Sequence, residues 1–361
     1  MKILFLYSAL TSGEFAYAGM EKMLVWLANA ISESNHEVIV CTLYDKKGND
    51  RINANIKTIP LGIHYSSSFL IRNLRLFLYV PFVLKRLLSK LSVDYVVSFG
   101  DSAFFPSVFL KSRCGYKLIV SERGDPYNSS GFLENIRQKL FRFSDTVVFQ
   151  TNGARDYYRN TRNLNVKSVV IPNPVSIPQQ CWLENDSKIL LSVGRLDLRQ
   201  KRQDLLLDAF NIIHQKYPDW KLIICGSGDG KETIQKLIRD YALSDCVTMT
   251  GAVSNVLEYM RNAEIFLLTS DFEGIPNALL EAMALGMPVV STDCSPGGAA
   301  LLIDNNNNGI LVERGNVDNY AKAIAYLIDN KQEAAKMGKE ARISMNNYTP
   351  ELITQKWISI F

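Results

Sequence analysis

Between Ile265 and Val290 the chain reads IFLLTSDFEGIPNALLEAMALGMPVV, and that order of residues admits few folds. Ile265 to Leu268 is an apolar run of strand length. Glu273-Gly274-Ile275-Pro276 is a turn, Asn277 to Leu285 has the apolar spacing of a buried helix, and Gly286 stops it. Pro288-Val289-Val290 then starts a second strand. Strand, helix and strand in succession, with both strands apolar, make a parallel crossover, and parallel sheets are covered by helices on their faces.

The alternation extends through both halves. Strands are expected at Ile3–Tyr7, Glu37–Thr42, Tyr95–Phe99, Lys117–Ser121, Thr146–Phe149 and Ser168–Ile171. In the second half they are expected at Lys188–Val193, Lys221–Cys225, Val247–Thr250, Ile265–Thr269, Pro288–Thr292 and Gly309–Val312. Helices fill the intervals, among them Gly19–Ser32 and Gln203–Lys216. Pro172-Asn173-Pro174 and the stretch up to Asp186 hold three prolines and interrupt any regular element. The expected fold is α/β, with two doubly wound Rossmann-like domains facing across a cleft: residues 1–175, residues 186–345, and an apolar, helix-like tail at 346–361.

Composition limits the classes. The 361 residues suffice for two domains, and 47% hydrophobic with 21% charged residues is the balance of a soluble globular protein. No apolar run reaches the roughly 18 to 20 residues of a membrane span. Met1 to Tyr7 is read as a first buried strand rather than a signal peptide. Six scattered cysteines without a C-x-x-C pair argue against a zinc site or a disulfide framework and fit a reducing cytoplasm. Charge is uneven: 22 Lys and Arg against 13 Asp and Glu up to residue 175, and 18 against 23 after it. A basic first half attracts anionic partners. Within it, Ser68 to Leu91 combines many apolar residues with Arg72, Arg75, Lys85, Arg86 and Lys90 and has no acid, the composition of a helix lying on an anionic bilayer or of an ordinary core helix with a basic outer face.

Several residues have chemistry suited to a phosphorylated polyol. The first-turn amides of a helix at Asn277 and Ala278 are unpaired donors at the positive end of its dipole, an anion site, and Glu273 and Glu281 flank it. Ionised carboxylates accept only, which matches paired hydroxyls. A nucleotide sugar has both parts. Arg195, after a strand in Gly194-Arg195-Leu196, offers a planar fork and Lys201 a point charge, both suited to phosphate oxygens. Arg199 and Arg202 compete for the role of Lys201. Gly226-Ser227-Gly228-Asp229-Gly230 follows another strand; glycines there permit close backbone approach to a ligand or simply a tight turn. Ser121-Glu122-Arg123-Gly124-Asp125-Pro126 also follows a buried strand. Arg123 and Asp125 are read either as site residues or as an internal pair that stiffens the loop.

The full string E-G-x-P-x4-E-A-x-A-x-G-x-P-V-V, with G-R-L and a downstream Lys, resembles the donor-binding segment of glycosyltransferase family 4, retaining enzymes of the GT-B fold. The resemblance is strongest to bacterial members that build capsule, exopolysaccharide or lipid-linked oligosaccharides. It implies that Arg195 and Lys201 hold the donor diphosphate, Glu273 binds sugar hydroxyls and Glu281 the ribose diol. Gly274, Ile275, Pro276, Asn277 and Ala278 then border the donor, as do Gly226, Gly228 and Val253. Gly13 and Gly19, in a longer version of the family's Gly-Gly-x-Glu turn, face the donor phosphate and the acceptor. Arg123 and Asp125 lie near the transferred sugar or acceptor hydroxyl, and the last helix returns to the first domain. A UDP-sugar donor and a polyprenyl-diphosphate-linked glycan acceptor at the cytoplasmic face follow from the same resemblance; the basic stretch Ser68–Leu91 and the uneven charge point to a peripheral position on the inner face of the cell membrane, and, with no Asp-x-Asp motif in supporting context, no metal, cofactor or nucleic-acid partner is expected. Two other classes fit the bulk features. A basic nucleic-acid- or membrane-surface-binding protein would not need the Arg195, Lys201, Glu273 and Glu281 set. An NAD-dependent oxidoreductase would need a G-x-G-x-x-G turn with an acid about 20 residues on, of which Gly226 to Gly230 is an imperfect copy.

Overall fold

The computed structural model describes residues 1–10, 19–44 and 51–361. They divide into two units. The first comprises Met1–Gln150, Ala154–Ile171 and Ile353–Phe361; the second comprises Thr151–Gly153 and Pro172–Leu352.

In the first unit the described strands are β1 (Lys2–Tyr7), β2 (Glu37–Tyr44), β3 (Lys57–Ile63), β4 (Tyr95–Phe99), β5 (Lys117–Ser121), β6 (Thr146–Phe149) and β7 (Lys167–Val170). All pair in parallel, in the order β3-β2-β1-β4-β5-β6-β7. Inner strands are apolar on both faces because both are covered: Ile3, Leu4, Phe5 and Leu6 are all fully buried. Strand β3 has no counterpart in the sequence-based expectation. It is an edge strand, largely exposed, that contains Pro60 and Gly62, so it lacks the continuous apolar run that marks its neighbours.

The second unit has β8 (Ile189–Val193), β9 (Lys221–Cys225), β10 (Val247–Gly251), β11 (Ile265–Leu268), β12 (Val289–Thr292) and β13 (Ile310–Val312), again parallel, ordered β10-β9-β8-β11-β12-β13. Its helix Asn277–Leu285 ends where expected, at Gly286, which takes the left-handed conformation (φ 95°) that favours glycine. A Cβ on Gly338 would come within 2.2 Å of the Gly286 carbonyl oxygen, so two helices meet there at backbone distance.

Each sheet has a buried apolar cluster on either face. One face of the first sheet is completed from far along the chain. Trp357, in the helix Pro350–Ile358, is fully buried and stacks on Phe99 with ring centroids 6.4 Å apart. Ile353 and Ile360 join the same cluster, and Tyr95 packs edge-on against Phe361. The proline-rich stretch after Ile171 belongs to the second unit: the Val175 amide donates to Tyr348 O (2.8 Å) and the Trp182 indole to Ala263 O (2.7 Å). Among the described residues no helix is long and apolar enough to cross a membrane.

Candidate active site

Strands β8 and β11 are neighbours in the second sheet, although β9 and β10 intervene in sequence. This is where the strand order reverses, and the loops leaving the carboxyl ends of two such strands diverge and leave a ligand-sized crevice. Gly194-Arg195-Leu196 leaves β8, and Thr269 to Pro276 leaves β11.

The two loops are stitched together. Lys201 Nζ donates to Glu273 Oε1, and Ser270 Oγ donates to the same oxygen (2.9 Å). Gln200 Nε2 donates to Phe272 O at 3.1 Å and reaches Glu273 Oε2 at 3.4 Å. Arg195 Nη2 donates to Gln200 Oε1 and to Asp197 Oδ2, both at 2.9 Å. Thr269 Oγ1 donates to Lys201 O (2.8 Å). Glu273 is buried, whereas the Arg195 side chain is 63% exposed, so the acid is fixed and the guanidinium has room to move. Arg195, Lys201 and Glu273 therefore meet through Gln200 and Ser270, two residues that carry no motif of their own and were not expected at the site.

Of the three candidate cations after Arg195, Lys201 is the one that pairs with Glu273. Arg202 is bound by Asp204 and Asp271, both ion pairs at 3.0 Å, and these carboxylates raise its pKa. Arg199 sits in the turn that Asp197 closes by accepting from the Arg199 and Gln200 amides.

Pro276 precedes the helix Asn277–Leu285 with extended backbone (ψ 102°), and the first helical bond runs from the Leu280 amide to Pro276 O. The amides of Asn277, Ala278 and Leu279 thus come before the ladder, at the positive end of the dipole. Glu281 is one turn on, half-buried, on the face it shares with Asn277. Asn173 Nδ2 donates to Asn277 Oδ1 (2.7 Å). Sequence reasoning gave this Asn-Pro pair a structural part only; its contact with the helix tip had no signal beyond the prolines beside it.

The glycines explain themselves by backbone packing. A Cβ on Gly226 would lie 1.8 Å from Gly194 O, and one on Gly228 would lie 2.4 Å from Leu196 O. The turn after β9 presses directly on Gly194-Arg195-Leu196, and the Gly226 amide donates to Gly251 O (2.8 Å). Val253, just beyond, is half-buried against the apolar cluster of this face. A Cβ on Gly298 would meet Gly274 O at 1.9 Å, so the loop Ser295–Gly298 lies against the Glu273 loop, where the Glu273 amide donates to Ser295 O (2.7 Å). Ile275 and Pro276 are buried beneath. From the other side Thr151 Oγ1 donates to Pro296 O (2.9 Å).

Of the residues expected in the first unit, Gly19, Arg123 and Asp125 lie among those described. Gly13 lies outside the described residues, and Gly19 is the first residue of the helix Gly19–Glu33. Arg123 donates from Nε to Ser121 Oγ (2.9 Å) and lies 5.5 Å from the Phe99 ring centre. Enclosure of its guanidinium lowers its pKa, against the pull of Glu122. Asp125 organises its own loop, accepting from the Tyr127 amide (3.0 Å) and Asn128 Nδ2 (2.5 Å). Beneath them Glu122 pairs with Arg137 and accepts from the Gly124 amide (2.8 Å), and burial pushes its carboxyl pKa up while Arg137 opposes.

Two parallel-sheet α/β units, the second with a cation–carboxylate pair at its switch point, have the architecture of the GT-B fold. The family models agree. "Glycosyltransferase Family 4" matches residues 17–178 and "Glycosyl transferases group 1" residues 177–344, and the chain belongs to glycosyltransferase family 4. It is similar to an uncharacterized glycosyltransferase of Haemophilus influenzae, 26% identical over 349 residues, covering 95% of this chain and 96% of the relative. The amylovoran biosynthesis glycosyltransferase AmsD of Erwinia amylovora is 23% identical over 350 residues, covering 95% of each. A Campylobacter jejuni α-1,4-N-acetyl-D-galactosaminyltransferase named for an undecaprenol-diphosphate-linked glycan is 22% identical, covering 100% and 98%. Among solved structures, a point mutant of Staphylococcus aureus TarM in complex with fondaparinux, α-GlcNAc-glycerol and UDP superposes with TM-score 0.81 at 17% identity, covering 99% of both chains. Anabaena HepE with UDP gives 0.79 at 18%, covering 100% and 99%.

Proposed function

We propose that the protein is a retaining hexosyltransferase that moves a sugar from a UDP-sugar to a lipid-linked glycan in bacterial surface-polysaccharide assembly. The observation that carries this reading is the meeting of Lys201, Glu273 and Arg195 at the switch point, beside the tip of the helix Asn277–Leu285. Similarity to chains solved with UDP, and to a transferase named for a polyprenyl-linked glycan, supports the donor and acceptor classes.

In this proposal the diphosphate is held by Arg195, by Lys201 and by the amides of Asn277 and Ala278. An ammonium has three donors, and Glu273 engages one of those of Lys201, which leaves others for phosphate oxygens. Glu273 accepts from sugar hydroxyls and Glu281 from the ribose diol. The bond from the anomeric carbon to the phosphate oxygen breaks as negative charge grows on the leaving group, where fixed cations and amides stabilise it most. The acceptor hydroxyl oxygen bonds to the same face of that carbon, and its proton passes to the departing phosphate oxygen. No metal or cofactor takes part. Arg123 and Asp125 are assigned to the acceptor side, and Ser68–Leu91 to an anionic membrane surface on the cytoplasmic side.

Titration calorimetry with UDP, GDP and NAD tests the reading, followed by a screen of nucleotide sugars for slow hydrolysis and NMR of the product anomer. UDP binding, with transfer that keeps the anomeric configuration, is expected. Binding of NAD alone, or an inverted anomer, would overturn it.

A further inference from the structure

We infer that the first unit carries a groove that takes one acyl chain of an anionic phospholipid. This builds on the membrane-surface part of the function proposed above, and turns a surface into a site. An open groove of about 450 Å³ runs between the end of β3 and the helical segment that follows it, lined by Gly62, Ile63, Leu74, Arg75, Leu78 and Tyr79 among others.

The groove has a structural origin on each side. Strand β3 is the sheet edge; its pairing register slips between Thr42 and Tyr44, and Gly62 turns to φ 70° and brings no side chain. Opposite, the helix Phe69–Leu74 passes through a π-helical turn, Arg75–Tyr79, before continuing as Val80–Leu91. Leu76, Val80, Leu84 and Leu88 are buried on the core. Leu74, Leu78 and Tyr79 are turned outward, each more than half exposed, and line the groove. Widened turns of this kind recur at functional sites.

The chemistry of the lining selects the occupant. Its walls are apolar, and its cation is Arg75, whose Nη1 donates to His64 O (2.7 Å). Among the described residues no carboxylate pairs with Arg75, and Ser68–Leu91 contains none. Beyond the rim, Leu70 is 76% and Phe82 68% exposed, and the exposed Lys85 and Arg86 follow Phe82 by about one helical turn. A nucleic acid would engage the cations but not the leucines and phenylalanine. A hydrocarbon chain joined to a phosphate engages both, the rim side chains entering the interface and the cations meeting the headgroups.

The test uses the full chain and dioctanoyl phosphatidylglycerol held below its micelle concentration, titrated by calorimetry or NMR. Saturable one-to-one binding is expected, at least tenfold weaker in Leu78→Glu, retained in Leu78→Met, and several-fold weaker for the zwitterionic choline analogue. Leu78 is 67% exposed, so both variants should melt as the wild type does. No saturable binding of the monomeric lipid, or equal binding by Leu78→Glu, would overturn the inference; so would farnesyl phosphate binding where the phospholipid does not. Vesicle adsorption without monomer binding would also refute the groove while leaving the membrane surface standing. UDP titrated into Leu78→Glu separates the two proposals: unchanged UDP binding is expected there, and absence of UDP binding in the wild type counts against the transferase reading alone.

Discussion

Lys201 and Glu273, 72 residues apart in sequence, form an ion pair between the loops that leave two adjacent strands. Removing either partner leaves a charge in a largely enclosed place, and the two losses are therefore coupled. Lys201→Ala is expected to lower kcat/KM by about 10²–10³-fold, the scale for loss of one charge-stabilising donor at a reacting centre. Glu273→Gln should do the same with a larger change in KM for the donor. The double variant should be less damaged than the product of the two, and strict multiplicativity in steady-state kinetics would contradict the coupling.

Asn173 holds Asn277 by a 2.7 Å hydrogen bond and so steadies the tip of the helix Asn277–Leu285 from outside it. Asn173→Ala should cost about 1 kcal/mol of stability in denaturant unfolding. It should also raise donor KM several-fold while leaving kcat within about twofold, since a positioning contact is lost and no reacting group is touched. A fall in kcat with KM unchanged would place Asn173 elsewhere in the scheme.

Gly226 is the least replaceable glycine of the site. Alanine there would put a methyl group 1.8 Å from Gly194 O, backbone against backbone, at a φ of 155°. The variant should lose roughly 2 kcal/mol or more, together with donor binding, because the displaced loop carries Arg195. Ser227→Ala, at an exposed neighbouring position, should match the wild type in thermal melting and calorimetry.

Burial pushes the Cys41 and Cys294 thiols up to about 12, from 9.0. In Cys294 the nearby Glu273 carboxylate adds to the effect. Both are thiols at neutral pH and at pH 8, so native protein should react with iodoacetamide at exposed Cys181 and be protected at these two. An unfolded chain releases these protons near pH 9 and the folded one only near 12. Their contribution to stability is thus complete below about pH 9 and declines as pH rises towards 12. Unfolding free energy measured across that range should fall, and less so in Cys294→Ala measured against its own value at about pH 8.

Much of this was legible in the sequence because the strands are buried on both faces. Tyr95–Phe99, Lys117–Ser121, Thr146–Phe149 and Lys221–Cys225 are apolar runs with sharp ends, and the structure keeps those limits. Strand β3 was not legible: it is an exposed edge whose Pro60 and Gly62 argue locally against a strand, and only pairing with β2 makes it one. At the site, Glu273 and Lys201 stood out by motif. Gln200 and Ser270 did not, since a polar side chain in a loop acquires meaning only from what the fold places opposite it; Asn173 was marked by its Asn-Pro motif, but for a structural part alone. The glycines at 226 and 228 were noticed for the right reason, absence of a side chain, but the structure shows that what approaches them is the chain itself.

Trp357, Ile353 and Ile360 close one face of the first sheet, and they are translated after every residue of the second unit. The usual order of synthesis, in which the earlier unit matures first, cannot hold here in full. The second unit has all its residues by Leu352, while the first must wait with Phe99 and its neighbours uncovered. A nascent chain of this protein therefore carries that greasy face uncovered while the second unit, Pro172 to Leu352, is made, and the part begun first is the last to be sealed.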